Sequence, residues 1–266
     1  MCDEKKITCI PEDNPLVVTV IKMIHTGDVP SLKQLLAENP GLATSRITGI
    51  DHSSNSTGES RSILHVATDW PGHFPNNTAT IAALIEAGAD VNSRFSGTHS
   101  ETPLHWAASC DDVEVLDLLL DAGADIEASG AVIAGGTPLD DAVAFAQWRA
   151  AYRLIERGAN PALWHAAALG LLEVMEAHFA GSPLSQQYPW GVEHSFPPDE
   201  VNVAFWCACH GGQRGAAEYL LDRKADINWI SVWDGLTPLD AAQRNAATEL
   251  VHWLQGLGAK SATGLL

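Results

Sequence analysis

Basic residues are scarce in this chain: 15 Lys and Arg stand against 33 Asp and Glu in 266 residues, for a formal net charge of −18. Affinity for a phosphate backbone comes mainly from Lys and Arg, so nucleic acid is excluded as an expected partner. Anionic membrane surfaces are disfavoured on the same ground. Cysteine is scarce as well. Five thiols, at positions 2, 9, 110, 207 and 209, are too few and too scattered for a disulfide framework, and the odd number leaves at least one unpaired. No run approaches the roughly 18 apolar residues of a membrane span. The amino terminus, "MCDEKKITCIPEDNPLVV", lacks an apolar stretch closed by a small-residue cleavage site. A soluble, cytoplasmic monomer with reduced thiols is expected. Gly-rich phosphate loops, nucleophile elbows and His-x-x-x-His pairs are also missing, so no cofactor and no metal is expected.

Apolar residues, by contrast, make up 46% of the chain, enough for a sizeable core. They are organised in a repeat. "TPLHWAA" begins at Thr102, "TPLDDAV" at Thr137 and "TPLDAAQ" at Thr237; the spacings are 35 and 100 residues, the second close to three units of about 33. A second signature closes each unit: "EAGADVN" at 86–92, "DAGADIE" at 121–127, "ERGANPA" at 156–162 and "DRKADIN" at 222–228. Thr102 can cap a helix whose first residue is Pro103, where a missing N–H costs nothing. Leu104, Ala107 and Ala108 give that short helix a narrow apolar face of small residues. Val113, Leu116, Leu119 and Leu120 mark a second helix, stopped at Gly123. Such a pair cannot bury both faces alone and must stack on neighbours.

On these motifs the chain resembles ankyrin repeat proteins from about residue 16 to 259. The resemblance implies an all-α solenoid of about seven stacked helix-turn-helix units, the terminal ones degenerate, with hairpin-like fingers and a concave groove. The expected layout is a tail at 1–15, one repeat domain at 16–260 and a frayed tail at 261–266. A polar loop at 44–61 and a long connection at 182–200 interrupt the domain. In this family the groove holds a protein partner, and the "LH" histidine of each unit bonds within its turn. His65 and His105 take that slot, as do Asp140 and Asp240.

The stretch "FWCACHGG" at 205–212 looks like a metal or thiol site, yet it aligns with "LHWAASCD", which puts both cysteines on a helix. At about 100° per residue, Cys207 and Cys209 point roughly 200° apart, which is awkward for joint chelation. Cys209 is expected as a small buried hydrophobe. Cys207 and His210 share a face that alignment assigns to the exposed groove. Carrying the groove and finger positions over unit by unit selects Trp70, Trp106, Phe145, Cys207, Trp229, Trp233 and Asp234 as partner-binding residues. Trp148, Trp164, Trp206 and Trp253 are expected to pack within or between helices. The leading expectation is a binding protein whose Trp-lined, acidic groove receives a protein partner. The alternative is a closed pocket for a small apolar or aromatic molecule, with Asp69, Asp141, His165 and His210 as acid–base groups.

Overall fold

The computed structural model describes residues 8–49, 59–182, 184–185 and 199–265. By its internal contacts the chain forms two compact units, Met1–Pro138 and Leu139–Leu266. The first unit holds three helix pairs: α1 (Pro15–Thr26) with α2 (Val29–Glu38), α3 (Ile63–Thr68) with α4 (Asn77–Glu86), and α5 (Pro103–Ser109) with α6 (Val113–Asp121). The second holds α7 (Pro138–Ala144), whose first residue closes the preceding unit, with α8 (Trp148–Glu156). It continues with α9 (Leu163–Ala168) and α10 (Leu172–Phe179), α11 (Glu200–His210) and α12 (Arg214–Leu221), and α13 (Pro238–Arg244) and α14 (Thr248–Gly256). Seven pairs among the described residues correspond to the seven units of the sequence pattern, and the architecture is all-α.

The short helices α3, α5, α9 and α13 are each fixed by a cap. In the first unit, His105 Nδ1 accepts from the Thr102 N–H at 3.0 Å and lies 2.9 Å from Thr102 Oγ1, so Nε2 carries the proton and donates to the Gly136 carbonyl at 3.3 Å. His65 does the same between Ser62 and the Glu101 carbonyl, at 2.8 and 3.1 Å. Asp240 serves the Thr237 N–H and hydroxyl through Oδ2, and also accepts from the Ala262 N–H at 2.8 Å. This last bond fastens part of the carboxyl tail, whose Ala262–Gly264 forms a 3-10 turn where fraying was expected.

Leu64, Leu104, Leu116, Leu119 and Phe205 are fully buried, and alanines 107, 108, 166, 167 and 208 let short helices approach closely. Burial of each large side chain contributes on the order of 1.5–3 kcal/mol. Gly211 marks the tightest approach: a Cβ there would stand 1.8 Å from the Ala168 carbonyl oxygen, so the glycine of "CHGG" is a packing requirement.

Two connections depart from expectation. The ends of the 44–61 loop are strands: β2 (Arg46–Thr48) pairs antiparallel with β3 (Ser60–Ser62) and parallel with β1 (Cys9–Pro11), which lies within the expected tail. Ile47 at the centre of this sheet is buried. Within 182–200, Ser185 makes a bridge to Ala162. Tyr188, Trp190 and His194, singled out in the sequence, lie outside the described residues.

Candidate functional site

In the first unit, the residue after α3 is Asp69, whose Oδ2 receives Arg61 Nη1 at 2.8 Å, while Arg61 Nη2 reaches Glu12 at the same distance. Trp70 follows and is left in solvent, 80% exposed. Trp106, on α5, is half-buried and more constrained. Its indole N–H donates to Glu101 Oε2 at 2.8 Å, and its ring meets His65 edge-on at 4.8 Å and Phe95 at 5.8 Å. Glu101, buried, also accepts from the Val132 N–H at 3.3 Å and faces His99 Nδ1 at 2.7 Å. Trp106 is thus tied into the finger, whereas Trp70 is available.

The second unit carries an open cavity of about 370 Å³ lined by Ala144, Phe145, Ala146, His210, Trp233, Asp234, Arg244 and Asn245. Phe145 stands at its rim, 45% exposed. Behind it runs a row of indoles: Trp233 meets Trp206 edge-on at 5.1 Å and Trp229 at 5.5 Å. Asp234 is held by the finger through Ser231 Oγ and the Leu236 N–H, and by Arg244 Nη1 at 2.9 Å. The Arg244 guanidinium also lies 5.4 Å from the centre of the Trp206 ring.

His210 lines this cavity but is buried. Its Nε2 donates to the Val143 carbonyl at 3.0 Å, and its Nδ1 accepts from Asn245 Nδ2 at 2.7 Å. Burial pushes its pKa down to about 4, helped by Arg244 and opposed by the Val143 bond and by Asp234. The imidazole is therefore a neutral structural bridge with both nitrogens engaged. Cys207, expected on the exposed face, is fully buried, and burial raises its thiol well above the usual range, with Cys209 and Asp234 adding to the rise. A thiolate nucleophile is disfavoured there. Cys209 is buried as expected.

Two further positions need correction. His165 takes the "LH" slot of its unit: Nδ1 accepts from the Ala162 N–H at 2.9 Å, the ring is buried, and burial lowers its pKa to about 3. The alignment was displaced by the Trp-His order of "LWHAAA". Asp141, carried over to the groove, is fully buried on α7. Of the four acid–base candidates, then, Asp69 is engaged by Arg61 in the first unit, while in the second only His210 borders the cavity.

Sequence reading missed Arg61, Arg244 and Asn245. Arg244 pairs with Asp234, while Arg61 is shared between Asp69 and Glu12, so the acidic character expected of these positions is partly offset. For Arg244 the only signal is scarcity: in a chain with 15 basic residues, an Arg ten positions after a finger Asp is a candidate partner. Trp206 replaces the "LH" histidine and supplies the equivalent bond, its indole N–H donating to the Leu236 carbonyl at 3.1 Å. Trp164 is buried, and Arg214 lies over Trp253 at 5.3 Å, in keeping with packing roles.

A 58-residue segment is 47% identical to an ankyrin repeat protein of fowlpox virus (strain NVSL), covering 21% of this chain and 11% of that protein. A 93-residue segment is 39% identical to Rabankyrin-5 of Mus musculus, covering 31% of this chain and 7% of the relative. The matches span a small share of either relative's length. A family model described as ankyrin repeats (3 copies) matches residues 20–130 and 64–163, together more than half of the sequence. With seven helix pairs among the described residues, and α3, α5, α9 and α13 capped by the side chain in the "LH" slot, the chain belongs to the ankyrin repeat family.

Proposed function

We propose that this ankyrin repeat protein is a binding module that captures a protein partner through aromatic side chains beyond the short helices, with no chemistry of its own. Ankyrin repeats generally mediate protein–protein binding, and the observation that carries the reading here is Trp70, 80% exposed beside a carboxylate already paired with Arg61. An indole costs little rotamer entropy on binding and offers a large contact area, which is why Trp dominates interface energetics. Phe145 and Trp233, at the cavity of the second unit, supply a second aromatic seat of a volume that suits one partner side chain. A small aromatic ligand would favour an enclosed seat, and Phe145 at the rim is 45% exposed.

The test uses the full chain as bait, beside the Trp70→Ala and Phe145→Ala variants. Both residues are exposed, so the variants should keep the wild-type circular dichroism and melting temperature. Affinity for a partner of the wild-type chain should fall at least about tenfold for one or both variants, the loss typical of an aromatic hot spot. A partner that binds both as tightly as wild type overturns the reading.

A further inference from the structure

In the first unit, the loop joining α3 to α4, which also carries Trp70, lies against the loop joining α5 to α6. Gly72 permits this contact. It sits at φ +70, and a Cβ there would stand 2.7 Å from Cys110 Cβ, so a side chain at this position is excluded twice over. The approach carries the next residue, His73, to the amino-terminal end of α6.

His73 Nε2 lies 3.0 Å from the Cys110 carbonyl oxygen. A carbonyl only accepts, so the proton is on Nε2 and the lone pair is on Nδ1. Nδ1 faces Asp112 Oδ1 at 3.9 Å. Glu114, in the first turn of α6, completes the group: one ligand atom from each of His73, Asp112 and Glu114 lies within 4.8 Å of the others. In a tetrahedral site with bonds of about 2.0–2.2 Å, neighbouring ligand atoms stand roughly 3.4 Å apart. The observed separation is therefore within a small rotation of two exposed side chains.

The surroundings of these groups are what a ligand set requires. Metal-bound imidazoles donate their other N–H to a carbonyl or carboxylate, and ligating carboxylates are themselves hydrogen-bonded. Asp112 is buried, and its Oδ2 receives the His73 backbone N–H and Asn77 Nδ2, both at 3.1 Å. Oδ1 has only the long 3.4 Å contact from the Val115 N–H of its helix cap. Asn77, which holds this carboxylate, is buried as well, and its Oδ1 has no hydrogen-bond partner among the described residues.

We propose that His73, Asp112 and Glu114 bind one divalent transition-metal ion, with Zn²⁺ as the representative case and water in the remaining positions. Two carboxylates balance the ion's charge. The imidazole selects the borderline metals over Mg²⁺ and Ca²⁺, which take oxygen ligands. No sequence motif announces the site, because its ligands come from two different repeats and meet only through stacking.

The test is a titration of the full, chelator-stripped chain with Zn²⁺ against a chromogenic chelator, with Mg²⁺ in parallel. The expected result is one equivalent of Zn²⁺ bound with a dissociation constant of about 10 µM or tighter, and no response to Mg²⁺. His73→Ala and Glu114→Gln should each weaken binding at least about tenfold. The metal-free melting temperature should stay unchanged, since both side chains are exposed. His25→Ala, at a histidine stacked on Phe74 instead, should bind as wild type. Absence of Zn²⁺ binding, or binding that His73→Ala retains in full, overturns the proposal.

Discussion

At the scale of single residues, this protein depends on neutral, buried hydrogen-bonding rings. His65, His105 and His165 occupy equivalent slots and His210 bridges two helices, and burial holds their pKa values near 3, 4, 3 and 4. An unfolded histidine titrates at about 6.5. The folded pKa values are lowered, so between pH 6.5 and about 4 the unfolded chain binds more protons than the folded one. The stability these groups contribute is complete above pH 6.5 and is lost as pH falls, at up to about 1.4 kcal/mol per pH unit for each ring. The urea midpoint should therefore drop steeply from pH 7.5 to pH 5, and His105→Asn should give a shallower drop than wild type. A midpoint that is level over this range would mean that the folded rings are charged and that the tautomers assigned above are wrong. His65 and His105 were legible in the sequence because their slot follows a fixed Thr/Ser-x-Leu frame. Trp206 was legible only as packing, since nothing in a residue pattern reveals that an indole N–H will meet the Leu236 carbonyl. The burial of Cys207 and His210 escaped reading because helical phase gives a direction, not the presence of Trp148 and Trp206 rings against it.

At the scale of elements, the helices were legible and the strands were not. A short helix opened by Thr-Pro and a longer one stopped by Gly leave a strong period, as Pro103, Leu104, Leu116, Leu119 and Gly123 illustrate. Strands of three residues leave none, and "SRS" inside a Ser-rich stretch reads as loop by composition alone. What makes β2 and β3 a structure is β1, brought in from the amino terminus, together with Ile47 buried in the middle. The sheet rests on a pairing remote in sequence, Cys9 with Arg46, and its stability should depend on it. Removing residues 1–13 takes away β1, exposes Ile47 and the unpaired edge of β2, and cuts the Glu12–Arg61 pair. The truncated chain should melt several degrees lower, the shift of a loss of about 1–2 kcal/mol, and should self-associate more readily through the open edge. Size-exclusion chromatography with a thermal melt measures both effects. Unchanged melting and elution would mean that β1 lies on the sheet without supporting it.

At the scale of the whole molecule, the net charge of −18 and the local charge of the proposed binding residues have to be separated. Asp234 is paired with Arg244 and Asp69 shares Arg61 with Glu12, which reduces the short-range charge at Trp70 and Trp233, and contact affinity at these proposed binding residues is expected to rest on aromatic area. The field that reaches an approaching partner is set by the full surplus of carboxylates, and it extends about 10 Å at 0.1 M salt and about 3 Å at 1 M. No helix among the described residues is long and apolar enough to cross a membrane. These two contributions act on different rate constants. Long-range charge changes the rate of encounter, while buried aromatic contact changes the lifetime of the complex. For a partner with a basic surface, the association rate should fall roughly 10- to 100-fold between low and high salt, with little change in dissociation. Trp70→Ala should do the reverse, shortening the lifetime of the complex at every salt concentration and leaving the salt dependence of association intact. Stopped-flow measurement of both rates, for both chains, at several ionic strengths checks the separation. A dissociation rate that follows salt, or a Trp70→Ala chain that differs only in association, would move the charge into the contact itself and require that Arg61 or Arg244 release its carboxylate on binding.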